Sequence, residues 1–536
     1  EFEGAALQVG GVDVVEDDFR AETLGVGKEA RHQFGALHAL GVGRPVVDFG
    51  GGHELAALFD AGDDGGLEVG AGGVNGGGVA GGAGAEDDEF AVLGHGVSFR
   101  GWQGGGRLKR RKILMAEQHT HSSTWQSKIN ALGPGIMMAS AAVGGSHLIA
   151  STQAGALYGW QLALIIILTN LFKYPFFRFS AHYTLDTGKS LIEGYAEKSR
   201  VYLWVFLILC VVSATINAGA VAIVTAAIVK MAIPSLTLDT GIVSALIMAS
   251  CLLILASGRY KALDNVSKII IVSLTIATVA AAAIAMSRGM QMKPDFIEPT
   301  PWTLAGLGFL IALMGWMPAP IEISAINSLW VTEKQRINPS SYRDGIFDFN
   351  VGYITSAILA VVFLALGAYV QYGNGEAVQM AGGKYVGQLI NMYAVTIGDW
   401  SRPLVAFIAF ACMYGTTITV VDGYARAIAE PVRLLRGKEK TGNVELFAWN
   451  VWVAGSGLAV IFWFNSAMAE LLKFAMITAF VAAPVFAWLN YRLVKGDKRH
   501  KLTMGMNFLA IIGLIYLTGF TVLFLLNQTG ILAAPK

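Results

Sequence analysis

The stretch GPGIMMASAAVGGSHLIASTQAGALYG, residues 133–159, decides how the rest of the chain is interpreted. It is apolar and long enough to cross a bilayer, since about 20 helical residues at about 1.5 Å each span the hydrocarbon core. The adjacent glycines Gly144 and Gly145 weaken a helix by roughly 1 kcal/mol each and free backbone groups that lipid cannot satisfy. Transporters place such breaks at their substrate sites. We therefore expect Ser146 and His147, which follow the glycines, to lie at a binding site within the membrane.

The composition is that of a polytopic membrane protein. Hydrophobic residues make up 54% of the 536 residues, charged residues make up 14%, and the mean hydropathy is +0.54. Such a chain is too apolar for a soluble globular protein. The three cysteines, Cys210, Cys251 and Cys412, lie far apart in apolar runs. This spacing indicates buried hydrophobic side chains rather than a disulfide framework or a metal motif.

The N-terminal segment has a different composition from the rest of the chain. Residues 1–106 hold 29 of the 64 glycines, and residues 1–100 carry 18 acidic and five basic side chains, so their net charge is −13 against +14 for the remainder. An acidic, glycine-rich chain without apolar periodicity cannot bury enough surface to offset its ordering entropy. We predict that residues 1–114 are disordered and that residues 115–536 form the transmembrane domain. We interpret the upstream segment as an over-extended reading frame or cloning product before Met115, and a disordered regulatory tail is the alternative.

Apolar segments of membrane-spanning length follow one another from Leu132 onward, and we number them spans one to eleven. Their approximate bounds are 132–156, 159–180, 201–232, 240–257, 266–287, 302–328, 350–372, 400–424, 446–465, 467–490 and 503–527. Lysine and arginine cluster before span one and after each even-numbered span, whereas connections after odd-numbered spans are poor in them. The positive-inside rule therefore predicts a plasma (inner) membrane protein with a cytoplasmic N-terminus and an external C-terminus.

Span six contains a second interruption. It reads GLGFLIALMGWMPAPIEISAINSLW, with Gly315, Pro318 and Pro320 in its middle. Proline removes a backbone donor and costs about 3 kcal/mol or more inside a helix, so this pair should unwind the span. Breaks in spans one and six are corresponding positions if spans 1–5 and 6–10 form an inverted repeat, and they indicate a midplane site between the two halves. Ordinary kinks, which glycine and proline commonly make in membrane helices, are the alternative.

The region resembles the Nramp (natural resistance-associated macrophage protein) family of proton-coupled divalent metal transporters. The resemblance covers about residues 115–530 and implies an all-α fold with a five-plus-five inverted repeat. The matching residues are Gly133-Pro134-Gly135, Gln153-Ala154-Gly155-Ala156 with Tyr158-Gly159, Met317-Pro318, and Asp348 with Asn350.

The departures from the family pattern lie at the centre of the resemblance. Where the family has Asp-Pro-Gly-Asn, this chain has Gly144-Gly145-Ser146-His147. The family's Met-Pro-His-Asn becomes Met317-Pro318-Ala319-Pro320, which keeps the thioether and loses the histidine. Span three, acidic in the family, has no carboxylate in residues 213–219. A hard dication prefers carboxylate and carbonyl oxygens, so the loss of the aspartate leaves its charge poorly compensated.

The remaining polar groups near the two breaks define the predicted site. An imidazole, a thioether and an intramembrane carboxylate are candidate ligands for a softer transition metal, or they recognise an organic substrate. The predicted metal ligands are His147, Met317 and Glu322. The predicted substrate-binding set adds Gly144, Gly145, Ser146, Gly315 and Pro318. Arg343 and Asp348 are the predicted gate or coupling residues.

We predict a secondary transporter that moves divalent metal cations by alternating access, with an altered substrate site. An Nramp-like transporter of another ion or of a small organic solute is the first alternative, and a non-transporting membrane sensor is the second. Protons are a candidate coupling ion, and the lipid bilayer is the expected partner. Neither an enzyme signature nor a nucleic-acid motif is found in the sequence, and no cofactor is expected.

Overall fold

The computed structural model describes residues 125–531, except for 258–259, 381, 465–467 and 497–501. The predicted disordered segment, residues 1–114, lies outside the described residues. Within the described part, all regular structure is helical. The helices are Trp125–Ala131, Pro134–Ala142, Thr152–Tyr158, Ala163–Thr187, Leu191–Lys198, Arg200–Ala232, Thr240–Ala256, Tyr260–Arg288, Leu307–Gly315, Ile323–Ile337, Tyr342–Val370, Gly382–Ile397, Ser401–Leu435, Asn443–Trp463, Met468–Lys495 and Met504–Gln528, with a π-helical turn at Ser146–Ser151 and a 3-10 turn at Gly159–Leu162.

The helices confirm the predicted polytopic, all-α fold with broken spans one and six. Seven described stretches are long and apolar enough to cross a membrane by length and composition. One of them, Ser146–Thr187, contains the second half of span one and all of span two. The chain turns between these two at Gly159, where φ is +55°, a value that favours glycine. Each of the eleven predicted spans therefore corresponds to a helix or to a pair of half-helices.

The connections between spans gather at two faces of the helical domain. Arg433, after span eight, pairs with Glu193, after span two, at 3.8 Å, and Lys334, after span six, donates to the carbonyl oxygen of Asn130, before span one. At the other face, Gln161 donates to the carbonyl oxygen of Pro299. Segments that precede span one or follow even-numbered spans thus contact one another, and segments that follow odd-numbered spans contact one another. The alternating charge pattern predicts this division.

Span seven packs along the whole of span one through pairs of glycines. A methyl group on Gly135 would overlap the backbone carbonyl of Asp348, and one on Gly155 would overlap that of Leu364. Such close approach of two backbones needs residues without a side chain. Span seven therefore holds both halves of span one on either side of the break.

Three shorter helices, Trp125–Ala131, Leu191–Lys198 and Gly382–Ile397, lie outside the predicted spans. The second has a local signal that predicts it. Ser190 accepts from the backbone of Glu193 while the Glu193 side chain accepts from the backbone of Ser190, which is a complete capping box. Span eight also continues as one helix to Leu435, well beyond its apolar core.

Candidate functional site

The helix of span one ends at Ala142 and resumes as the π-helical turn Ser146–Ser151. Side chains of the protein satisfy the carbonyl groups released at this break. The Ser146 hydroxyl donates to the carbonyl oxygen of Ala142 at 2.5 Å, and the Cys412 thiol of span eight donates to that of Val143 at 2.9 Å. All three cysteines are buried, as predicted, and this one also contributes a hydrogen bond. The break is therefore a structured element, stabilised from span eight.

The span-six break lies between Gly315 and Ile323, and a lysine from span two satisfies its carbonyl groups. The Nζ atom of Lys173 lies 2.7 Å from the carbonyl oxygen of Met314, 2.8 Å from that of Gly315 and 3.3 Å from that of Ala319. Lys173 is fully buried. Three carbonyl acceptors match the three N–H groups of an ammonium, so the hydrogen-bonding capacity of the side chain is used up.

The two breaks face each other, as an inverted repeat requires. The ring of Trp316, in the span-six break, packs on Gly145, where an added Cβ would lie 2.8 Å from ring atom Cζ3. The indole Nε1–H of Trp316 donates to Asn217 Oδ1 of span three at 3.0 Å. Position 145 thus favours glycine for two reasons: a larger residue would overlap the Trp316 ring, and glycine weakens the helix at the break.

A hydrogen-bonded chain continues from Asn217 to the predicted ligand Glu322. The Asn217 amide donates to the hydroxyl oxygen of Tyr424, in span eight, at 3.1 Å, and that hydroxyl donates to Glu322 Oε1 at 3.0 Å. Glu322 is buried, and its Oε2 atom accepts no hydrogen bond of ordinary geometry from the described residues, although the Ser213 hydroxyl of span three lies close to the carboxyl group. A buried carboxylate oxygen without a strong donor has a lone pair available for a cation. A negative charge on Glu322 would attract an ammonium at Lys173.

His147 points away from span six, toward span seven. Its Nε2 atom lies 2.8 Å from the carbonyl oxygen of Ser356, and its Nδ1 atom lies 2.7 Å from Ser146 Oγ and 3.0 Å from the carbonyl oxygen of Ala142. The ring packs edge-on against Phe363. Both ring nitrogens already have partners, so in this conformation the imidazole presents no free lone pair to a metal ion.

The other predicted ligands are buried at the span-six break. Met317 is fully buried, and Pro318 follows it in the unwound segment. Gly315 ends the first half-helix and contributes one of the carbonyl groups that bind Lys173. Among the residues that the structure describes, no group of three or more His, Cys, Asp or Glu side chains is placed to hold a metal ion. Any metal bound here would therefore rely on Glu322, the thioether and neutral oxygens.

The predicted gate residues lie at the start of span seven. Asp348 is buried and accepts from the backbone N–H groups of Gly133 and Gly135, at 2.8 and 2.7 Å. Its carboxylate thus caps the first half-helix of span one, where helix N-termini favour negative charge. Arg343 is exposed near the beginning of the same helix.

Lys173, Tyr424 and Trp316 belong to the site and were not selected from the sequence. Lys173 can be identified from the sequence, because a charged residue within an apolar span is a functional candidate by default. The other two have no such signal, since each lies in a span with several aromatic residues.

The fold and these facing breaks define a polytopic membrane protein of the inverted-repeat transporter class. The chain belongs to the natural resistance-associated macrophage protein-like (Nramp) family, whose model matches residues 135–527. An uncharacterized protein of Pasteurella multocida is 55% identical over 417 residues, which cover 77% of this chain and 96% of that protein.

Solved structures of the manganese transporter of Eremococcus coleocola have a similar fold. A histidine-to-alanine mutant has a TM-score of 0.55 and 16% identity, and the match covers 77% of this chain and 90% of that one. A complex with an aromatic bis-isothiourea substituted compound has a TM-score of 0.56 and 14% identity, covering 78% and 90%. At this identity the likeness concerns the fold.

Proposed function

We propose that the protein is a secondary transporter that moves divalent metal cations across the membrane by alternating access. The observation that carries this proposal is the Oε2 atom of Glu322, which is buried at the end of the span-six break and accepts no hydrogen bond of ordinary geometry from the described residues. The Met317 thioether at the same break suits a transition metal better than Mg²⁺. The family and the fold support the same reading.

Alternating access is supported by the burial of the site. His147, Met317 and Glu322 are all buried, so cargo cannot reach them from either face in this conformation. Opening requires movement of the bundle that holds spans one and six against the other helices. The packing of span seven on span one makes it the helix that opposes this movement.

A second candidate cargo is another ion or a small organic solute. It is favoured by the charge at the site, because the Lys173 ammonium opposes the single carboxylate of Glu322. A divalent cation added to a neutral pair would keep most of its charge uncompensated in a medium of low dielectric. A zwitterionic cargo carries no such penalty, and a monovalent ion carries a smaller one.

Flux into proteoliposomes tests the two candidates. Uptake of Mn²⁺, Fe²⁺, Co²⁺, Zn²⁺ and Mg²⁺ is measured with and without an imposed pH gradient, and each metal is added to purified protein in thermal unfolding. The proposal expects saturable uptake of at least one transition metal and a rise in its melting temperature. If all five ions leave both flux and melting curve unchanged, the divalent cargo is rejected in favour of the second candidate. A flux that ignores the pH gradient excludes proton coupling.

The proposed orientation places the N-terminus in the cytoplasm and the C-terminus outside the inner membrane. The support is the alternation of basic connections and their clustering at one face, where Arg433 meets Glu193. A C-terminal alkaline phosphatase fusion should be active and a C-terminal fluorescent-protein fusion dark. With eleven spans, the reverse pattern would mean that the orientation is inverted and the N-terminus lies outside.

A further inference from the structure

The ammonium of Lys173 stands where an ion would be expected. Its three acceptors are the carbonyl oxygens at the end of the first half-helix of span six, Met314 and Gly315, and one from the unwound segment, Ala319. In transporters, unwound carbonyl groups and half-helix C-termini coordinate cations. The C-terminal end of the half-helix also carries the negative pole of its dipole.

The span-two helix places Lys173 in this position with little freedom. The residue is fully buried, and the helix Ala163–Thr187 that carries it is continuous through this position. An isolated charge at this depth is costly, so its retention requires compensation. The three carbonyl dipoles contribute this compensation, and a negative charge on Glu322 acts in the same direction. Geometry and charge agree on a site built for one monovalent cation.

We propose that Lys173 is a tethered cation that permanently fills a monovalent cation site formed by the carbonyl groups of Met314, Gly315 and Ala319. The protein therefore needs no free ion to stabilise the span-six break. Cargo is excluded from these three oxygens and is limited to the ligands that remain, Glu322 and Met317. The inference concerns the same site as the proposed function. Only its statement about cargo rests on that function.

Removal of the ammonium should convert the filled site into one that needs a free cation. In Lys173→Ala, the three carbonyl groups lose their partner and space opens for an ion, as in other carbonyl-lined sites that bind K⁺. The melting temperature of purified protein is compared in potassium, ammonium, sodium and N-methylglucamine chloride at equal ionic strength. The variant should melt at least about 3 °C higher in potassium or ammonium than in N-methylglucamine, with a saturable dependence on concentration.

Three matched proteins should show no such dependence. The wild type has its site filled. Lys230→Ala removes another ammonium, one that is only partly buried near the end of span three and donates to Thr240 at 3.4 Å. Lys173→Arg keeps the charge and should also be insensitive to the choice of cation. If Lys173→Ala folds in none of the salts, the same comparison is made with Lys173→Ser, which also leaves space for an ion.

Equal melting of the alanine or serine variant in all four salts would overturn the inference, as would an alanine variant as stable as the wild type. This result is separate from that of the flux assay. A cation-dependent variant combined with absent metal uptake keeps the tethered cation and rejects the divalent cargo. Metal uptake combined with a cation-insensitive variant keeps the divalent cargo and rejects the tethered cation.

Discussion

The contact between the two breaks can be tested by adding one methyl group, in Gly145→Ala. Gly145 has φ −56° and ψ −30°, which alanine adopts without strain, so the backbone alone would gain about 0.4–1 kcal/mol from the change. The new Cβ, however, would lie 2.8 Å from Trp316 Cζ3, and ordinary contact begins at 3.4 Å. The indole ring must therefore move by about 0.6 Å.

That movement has a second cost. The Trp316 Nε1–H bond to Asn217 is 3.0 Å long, and a shift of the ring would distort it. Overpacking costs about 1–3 kcal/mol, and a distorted bond adds up to about 0.5–1.5 kcal/mol. These terms exceed the backbone gain, so Gly145→Ala should lower the melting temperature of the wild type.

The sign should reverse once the ring is removed. In a Trp316→Leu background, Gly145→Ala meets no indole and should stabilise the protein by about 0.4–1 kcal/mol. The control is Gly144→Ala, whose Cβ would meet Thr416 Oγ1 of span eight at 2.9 Å, so its effect should be the same in both backgrounds. Thermal unfolding of the single and double variants gives the coupling between positions 145 and 316. A stabilising Gly145→Ala in the wild type, or zero coupling, would refute the facing arrangement of the breaks.

Two further substitutions test the groups that hold the site. Asp348→Ala leaves the N–H groups of Gly133 and Gly135 without an acceptor, and the loss of two bonds to a charged group should cost about 3–6 kcal/mol of stability. Asp348→Asn keeps one acceptor and should cost about half as much. Equal losses of the two variants in chemical unfolding would contradict this. Tyr424→Phe removes the donor to Glu322 and should raise the half-saturating metal concentration for uptake, while a similar buried deletion, Tyr393→Phe, whose hydroxyl bonds to Thr278 instead, should leave it unchanged. Parallel shifts in the two tyrosine variants would mean a general packing effect.

The broken spans were predictable because their causes are local. Adjacent glycines and paired prolines disfavour a helix wherever they occur, and their separation by five spans fits an inverted repeat. The orientation of the His147 side chain was not predictable in the same way. It lies in a π-helical turn, which changes the number of residues per turn and so rotates the side chains that follow. A glycine pair in the sequence does not specify that rotation.

The tethered cation illustrates a different limit. Lys173 itself is visible in an apolar span, but its acceptors are backbone carbonyl groups, the nearest of them 141 residues away, and a carbonyl group has no sequence signature. The hydrogen-bonded chain from Trp316 to Glu322 likewise joins spans three, six and eight, which only the tertiary fold brings together. Local signals therefore located the breaks, and long-range contacts determine what fills them.

The most direct test of the central claim is Mn²⁺ uptake into proteoliposomes by the wild type and by Glu322→Gln. The control is Glu333→Gln, on the same half-helix, where the carboxylate is partly exposed and pairs with Arg336 at 3.1 Å. If cargo binds at the buried carboxylate of the span-six break, uptake should be saturable in the wild type and in the control and fall by at least about tenfold, the equivalent of about 1.4 kcal/mol, in Glu322→Gln. Uptake that is unchanged in Glu322→Gln would place the cargo elsewhere and contradict the account.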